Sequence, residues 1–198
     1  LSGRFLTSSP SRSIALIGFD ADDTLWHSEI YFQSAHAEFE RILAPYIDLA
    51  DSQLHDRLLA IEGVNLKLFG YGAKGMTLSM LETAITMTEG RITASDLAKI
   101  LTIGKDVLTH PVELLPDIRS AVEEIAKTHE LVLITKGDLF HQETKIAASG
   151  LSDIFTRIEI VSEKHPAAYA RVLNECDVVP SQFVMVGNSL RSDIEPVL

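Results

Sequence analysis

Cysteine is all but missing from this sequence; Cys176 stands alone. One thiol cannot close an intrachain disulfide, so a reducing compartment, the cytoplasm, is the expected setting. Cys176 itself falls in a helical pattern and reads as a small buried residue. Long hydrophobic runs are missing too. No apolar stretch approaches the roughly 20 residues that span a bilayer, so no membrane partner is expected. Residues 1–12 are polar and serine-rich, without the apolar segment of a signal peptide, and are expected to form a flexible tail. Positive charge is short: 17 Lys and Arg face 28 Asp and Glu, for a formal net charge of −11. A nucleic acid polymer needs a basic footprint and is not expected as a partner. Small anions stay open, because a metal ion and a few local cations invert the sign inside one cleft. His36, His55, His110, His129 and His141 fall at no metal-ligand spacing and read as surface or structural.

What is present is ordinary for a globular chain: 46% hydrophobic and 23% charged residues. Residues 14–19 form a continuous apolar run that ends in acid, the mark of a buried parallel strand. Similar runs occupy 131–135, 157–161 and 183–186. Helical patterns separate them at 117–128, 139–149 and 166–176, the last opening on Pro166 in its first turn. Strands alternating with helices predict an α/β fold with a doubly wound parallel sheet. The stretch from 29 to 109 has another texture, with no convincing strand. Ile30, Phe39, Ile42 and Leu43 fit one helical face, and Leu54, Leu58, Leu59 and Ile61 a second. Residues 76–87 suggest a third helix, and 95–108 a fourth with Ser95 as its N-cap. About 80 residues are too many for a crossover loop. The expected division is a core of 13–27 and 111–198 with an inserted helical domain at 28–110.

The strongest chemical signal is the cluster Asp20, Asp22 and Asp23, followed by Thr24, directly after the first strand. Three carboxylates so close repel one another and give a strand end nothing. A hard Mg²⁺ ion resolves that repulsion, and ligands of open α/β sheets bind at such strand ends. A solvated acidic turn is the plainer alternative. The DxDxT pattern resembles the first motif of the haloacid dehalogenase-like (HAD) superfamily, and three more motifs follow in the family's order. Thr135 ends the second strand, Lys164 follows the third, and Gly187 to Asp193 follows the fourth.

The resemblance implies a Rossmann-like core with a helical cap, and a phosphatase that uses Mg²⁺ on a small phosphorylated metabolite. It implies Asp20 as nucleophile and Asp22 as general acid/base. Thr135, Lys136 and Lys164 would stand at the phosphate, and Asp20, Asp22 (through its carbonyl), Asn188 and Asp193 at the metal. Departures exist: many relatives have an acid at Asn188, Gly at Asp23 and Asn at Lys136. Lys136 reads equally as a solvent-facing lysine. Dehalogenases lack an acid at Asp22, because halide needs no proton, so Asp22 favours phosphate esters such as nucleoside monophosphates, phosphoglycolate or sugar phosphates. A phosphomutase is the nearest alternative, and a non-catalytic scaffold retaining the fold comes from a different class. A phospho-receiver domain has the wrong motif spacing and no such insertion. In the insertion, Gly70, Gly72 and Gly75 surround Lys74, a possible substrate contact or part of an ordinary interhelix turn. Trp26 reads as packing at the cap's hinge. The chain starts without Met and stops soon after the last motif. A processed or trimmed chain is therefore expected, and the resemblance implies a further strand and helix.

Overall fold

The computed structural model describes residues 13–50 and 53–198, so the expected tail at 1–12 lies outside the described residues. In chain order the elements are β1 (Leu16–Phe19), α1 (Glu29–Leu43), α2 (Leu54–Phe69), α3 (Ala73–Met87), α4 (Ala94–Thr109) and α5 (Ile118–Ala126). They continue with β2 (Glu130–Lys136), α6 (Leu139–Ser149), β3 (Arg157–Val161), α7 (Pro166–Glu175) and β4 (Phe183–Val186). The four strands form one sheet in the order β3-β2-β1-β4, and every pairing is parallel. Leu16 lies beside Glu130 on one side and Phe183 on the other, so β1 is interior.

Alternate side chains leave a strand on opposite faces, and both faces are covered. Phe19, Leu131 and Leu133 pack with Val122 of α5 and Ile146 of α6. Leu16, Val132 and Ile134 pack with Tyr169, Val172 and Leu173 of α7. Burial on both sides is why these strands are continuous apolar runs rather than alternating ones. The doubly wound α/β reading therefore stands.

Helices α1–α4 intervene between β1 and α5 and bury a hydrophobic cluster of their own, in which Phe39, Leu43, Met80, Ala84 and Ile100 are fully enclosed. Each of the larger of these side chains contributes roughly 1.5–3 kcal/mol by leaving water. Two of the residues expected on inner faces, Ile30 and Leu59, are exposed instead. Helix α4 is capped by Thr93, not Ser95: the Thr93 hydroxyl oxygen accepts from the Asp96 amide at 3.1 Å and donates to the Asp96 carboxylate at 3.0 Å. The first bond satisfies one of the orphan amides of the first turn, and Ser95 lies inside the helix. The chain leaving β1 and the chain returning from α4 run side by side: His27 N donates to Glu113 O and Leu115 N to Leu25 O, both at 3.0 Å. Among the described residues no helix is long and apolar enough to cross a membrane.

All four strands point the same way, so their C-terminal ends share one edge. The loops leaving that edge carry Asp20 to Asp23, Gly137 and Asp138, Glu163 and Lys164, and Gly187 to Asp193.

Candidate active site

Those loops bring Asp20, Lys164 and Asp193 into contact. Lys164 Nζ donates to Asp193 Oδ1 at 2.7 Å and to Asp20 Oδ1. The three side chains are 2%, 10% and 1% exposed for Lys164, Asp20 and Asp193. Asp20 is fixed by the sheet, since its amide donates to Val186 O at 2.8 Å. Asp193 sits on a wide helical turn, Leu190–Ile194, and accepts from Ser189 N at 3.0 Å. A Cβ on Gly187 would stand 2.3 Å from the Asp193 carboxyl carbon, so only glycine lets that carboxylate reach its place. Burial raises the Asp20 pKa above the ordinary carboxylate range; Lys164 opposes the shift and Asp193 adds to it.

Asp22 is held by three donors. Lys145 Nζ donates to Oδ1 and Oδ2 at 2.6 and 2.8 Å, Trp26 Nε1 to Oδ1 at 2.7 Å, and Gln142 Nε2 to Oδ2 at 3.2 Å. Trp26 is buried as expected, and it also aims an acid. Gln142 Nε2 donates as well to Thr135 Oγ1 at 2.7 Å, tying the end of β2 to the loop after β1. Asp23 has a left-handed φ of 58°, where glycine is easiest and aspartate is tolerated. Its carboxylate accepts from Ser28 N and Glu29 N at 2.9 Å and so serves the start of α1.

Lys136 is not free in solvent. Its Nζ donates to Glu163 at 3.2 Å and to Ser192 Oγ at 3.3 Å, and lies 3.9 Å from the centre of the Tyr71 ring. The Tyr71 hydroxyl donates to the same Glu163 at 2.6 Å. Asp20, Asp22, Thr135, Lys136, Lys164, Asn188 and Asp193 all line one cavity of about 350 Å³. Lys74 does not line it: its Nζ donates to Asp138 at 2.9 and 3.0 Å, on the flank of α6.

Residues 14–196 match the haloacid dehalogenase-like hydrolase family. The chain belongs to it. Human N-acylneuraminate-9-phosphatase is 28% identical over 120 residues, which are 58% of this chain and 48% of that protein. The mouse protein of the same name is 29% identical over the same shares. The chain thus spans about half the length of the curated relatives it matches. A haloacid dehalogenase-like family hydrolase from Xanthomonas campestris has a similar structure, with a TM-score of 0.88 at 60% identity, covering 93% of this chain and 78% of that one. A 2-haloacid dehalogenase from Pseudomonas syringae pv. tomato shares the fold, with a TM-score of 0.61 at 21% identity and coverage of 93% and 82%.

Magnesium, which the family implies, would have to find ligands in that cavity. Among the described residues no three His, Cys, Asp or Glu side chains are arranged to hold an ion. The donors present are the Asp20 and Asp193 carboxylates, the Asp22 carbonyl and the Asn188 side chain. Oxygen donors with only one or two carboxylates suit Mg²⁺, which keeps water and phosphate oxygens as its other ligands. Two buried carboxylates share one lysine, so the pair carries net negative charge out of water. A hard cation fits there.

The sequence alone did not point to Gln142, Lys145, Glu163 or Tyr71, and it left His141 as surface or structural. His141 lines the cavity, with its pKa lowered by burial first and by Lys145 second. One signal was available: His141, Gln142 and Lys145 share a face of a helix that begins just after Thr135.

Proposed function

We propose that this chain is a Mg²⁺-dependent phosphatase that hydrolyses a small phosphomonoester in two steps through Asp20. The observation that carries the reading is the buried Asp20 at the end of β1, in contact with Lys164 and two residues from a second, fixed acid, Asp22. Asp20 attacks phosphorus, the ester P–O bond breaks, and Asp22 hands its proton to the departing oxygen. In the present arrangement both Asp22 oxygens accept, so Asp22 first takes up a proton and gives up Lys145, then donates that proton to the leaving oxygen; the proton it later takes from water restores the acid for the next cycle. Asp22 then takes a proton from water as that water attacks phosphorus, and Asp20 is freed with release of phosphate. Thr135 and Lys164 hold the phosphoryl oxygens, with Lys136 beside them. Asp20, Asp193, the Asp22 carbonyl and Asn188 would hold a magnesium ion there, which would supply positive charge against the phosphoryl group.

Residues 28–110 act in this reading as a cap over a core of 13–27 and 111–198, and shield the first step from bulk water. The side-by-side stems at His27 and Glu113 support a hinge there. The cytoplasm is the proposed setting. The mammalian relatives named as phosphatases support the ester reading, and so does Asp22, which a halide leaving group would not need. Asp20→Asn is expected to abolish Mg²⁺-dependent hydrolysis of p-nitrophenyl phosphate; wild-type turnover in that variant overturns the assignment. Release of free phosphate, rather than a rearranged ester, separates the phosphatase from a phosphomutase.

A further inference from the structure

A second cavity, of about 380 Å³, lies between α1, α2 and the start of α3. It adjoins the first, because Glu29, Phe32, Tyr71 and Gly72 line both. Phe32, Leu59, Leu66 and Met76 give it an apolar side. Its polar side has an unusual feature: nearly every hydrogen its side chains can donate is already spent. Asn65 Nδ2 donates to Glu82 at 2.7 Å and to Ser79 Oγ at 3.2 Å. Glu82 can only accept in that contact, which fixes the amide's orientation and leaves Asn65 a carbonyl oxygen to offer. The Ser79 hydroxyl donates to Gly75 O at 2.9 Å, and the Tyr71 hydroxyl donates to Glu163 at 2.6 Å. Glu29 and Glu62 are acceptors. His36 is the exception; its Nε2 is buried without a hydrogen-bond partner, 3.7 Å from Glu62.

Among the described residues no lysine or arginine lines this cavity. Four lysines around the adjoining cavity have carboxylate partners: Lys164 holds Asp20 and Asp193, Lys145 Asp22, Lys136 Glu163, and Lys74 Asp138. An occupant that brings hydrogens meets acceptors, whereas one that brings a carboxylate meets two glutamates and no cationic lining side chain. Building on the phosphatase reading, we propose that this cavity is the leaving-group subsite. It selects phosphate esters of a donor-rich alcohol, a polyol or amino sugar, over esters that carry a carboxylate. Phosphoglycolate is thereby disfavoured.

Matched hexose esters test this. Glucose 6-phosphate, glucosamine 6-phosphate, 6-phosphogluconate and inorganic phosphate are titrated calorimetrically with Mg²⁺ into the Asp20→Asn protein, which the phosphatase reading expects not to turn over. The neutral and amino esters are expected to bind about tenfold or more tightly than the carboxylate ester. Gly63 lines the cavity within α2, and a Cβ there meets nothing within 4 Å. Adding Gly63→Leu fills the space without harming the helix. It is expected to remove the esters' advantage over inorganic phosphate and leave phosphate affinity intact. Glu62→Lys, the second variant, is expected to narrow or invert the order. Equal or tighter binding of 6-phosphogluconate overturns the proposal, as does indifference to both folded variants or the failure of any ester to bind more tightly than phosphate. The phosphatase reading fails separately, if the wild-type protein releases phosphate from none of these esters or from p-nitrophenyl phosphate while the binding order stands.

Discussion

Replacing Lys164 with methionine leaves Asp20 and Asp193 facing each other in a buried site without the cation they share. Methionine keeps most of the volume, so the loss is electrostatic rather than a cavity. Removing one partner of a buried ion pair costs about 3–5 kcal/mol. The low end applies here, because Asp20 keeps 10% exposure and can partly relax. For a chain of this size, about 3 kcal/mol corresponds to a fall of roughly 6–12 °C in Tm. The deficit should depend on pH in a defined direction. Burial already raises the Asp20 pKa against the pull of Lys164. Without the lysine, burial and Asp193 act unopposed, so the folded-state value lies further above the unfolded one. Such a group holds an extra proton in the folded state; stability is recovered as pH falls through the folded pKa and lost as pH rises through it. Thermal melts in EDTA at about pH 8 and about pH 5 should therefore show a large deficit that shrinks at the lower pH. Added Mg²⁺ should restore part of it at the higher pH by mass action. A drop of less than about 2 °C at pH 8, against the roughly 2–4 °C lost per kcal/mol, refutes the account of this triad. So does a deficit that widens on acidification.

Lys145→Met should lower kcat by about tenfold or more while changing KM little, because it leaves the aim of Asp22 to Trp26 and Gln142 alone and does not touch the phosphate site; an unchanged kcat contradicts the assigned role of the Asp22 clamp. Gly104→Ala should destabilise the protein by about 1–3 kcal/mol despite its better helix propensity. The new Cβ would lie 2.0 Å from Thr77 Oγ1, which is itself bonded to Ala73 O at 2.6 Å, and a raised Tm would contradict that packing. The Asp96 carboxyl is held at about 2 by hydrogen bonds from Lys99 first, then Tyr46 and Thr93. Tyr46→Phe should move its NMR titration midpoint upward, and the stability Asp96 contributes should be present above pH 3.8 and fade as pH falls through about 2.

The sheet was legible because each strand is buried on both faces, which writes it into the chain as an unbroken apolar run. The chemistry was legible for a related reason. Parallel strands align their C-terminal ends, so Asp20, Thr135, Lys164 and Asp193 are assembled by topology alone. What escaped notice depends on partners far apart in sequence. Lys145 and Asp22 are 123 positions apart, and nothing local to either names the other. Lys74 looked available among its glycines because Asp138, 64 positions away, had no visible claim on it. The Thr93 cap was overlooked for the opposite reason: Ser95 offers the same chemistry two residues on, and only the reciprocal bond to Asp96 decides between them.

The central claim is that Asp20 carries the phosphoryl group between the two steps. It is tested most directly by quenching the Mg²⁺-loaded protein in acid during turnover of a phosphate ester, then mapping its peptides by mass spectrometry. The account predicts one phosphoryl group on the peptide containing Asp20, absent from the Asp20→Asn protein. Rapid turnover with no phosphoryl group on that peptide, or with one on another residue, would contradict it.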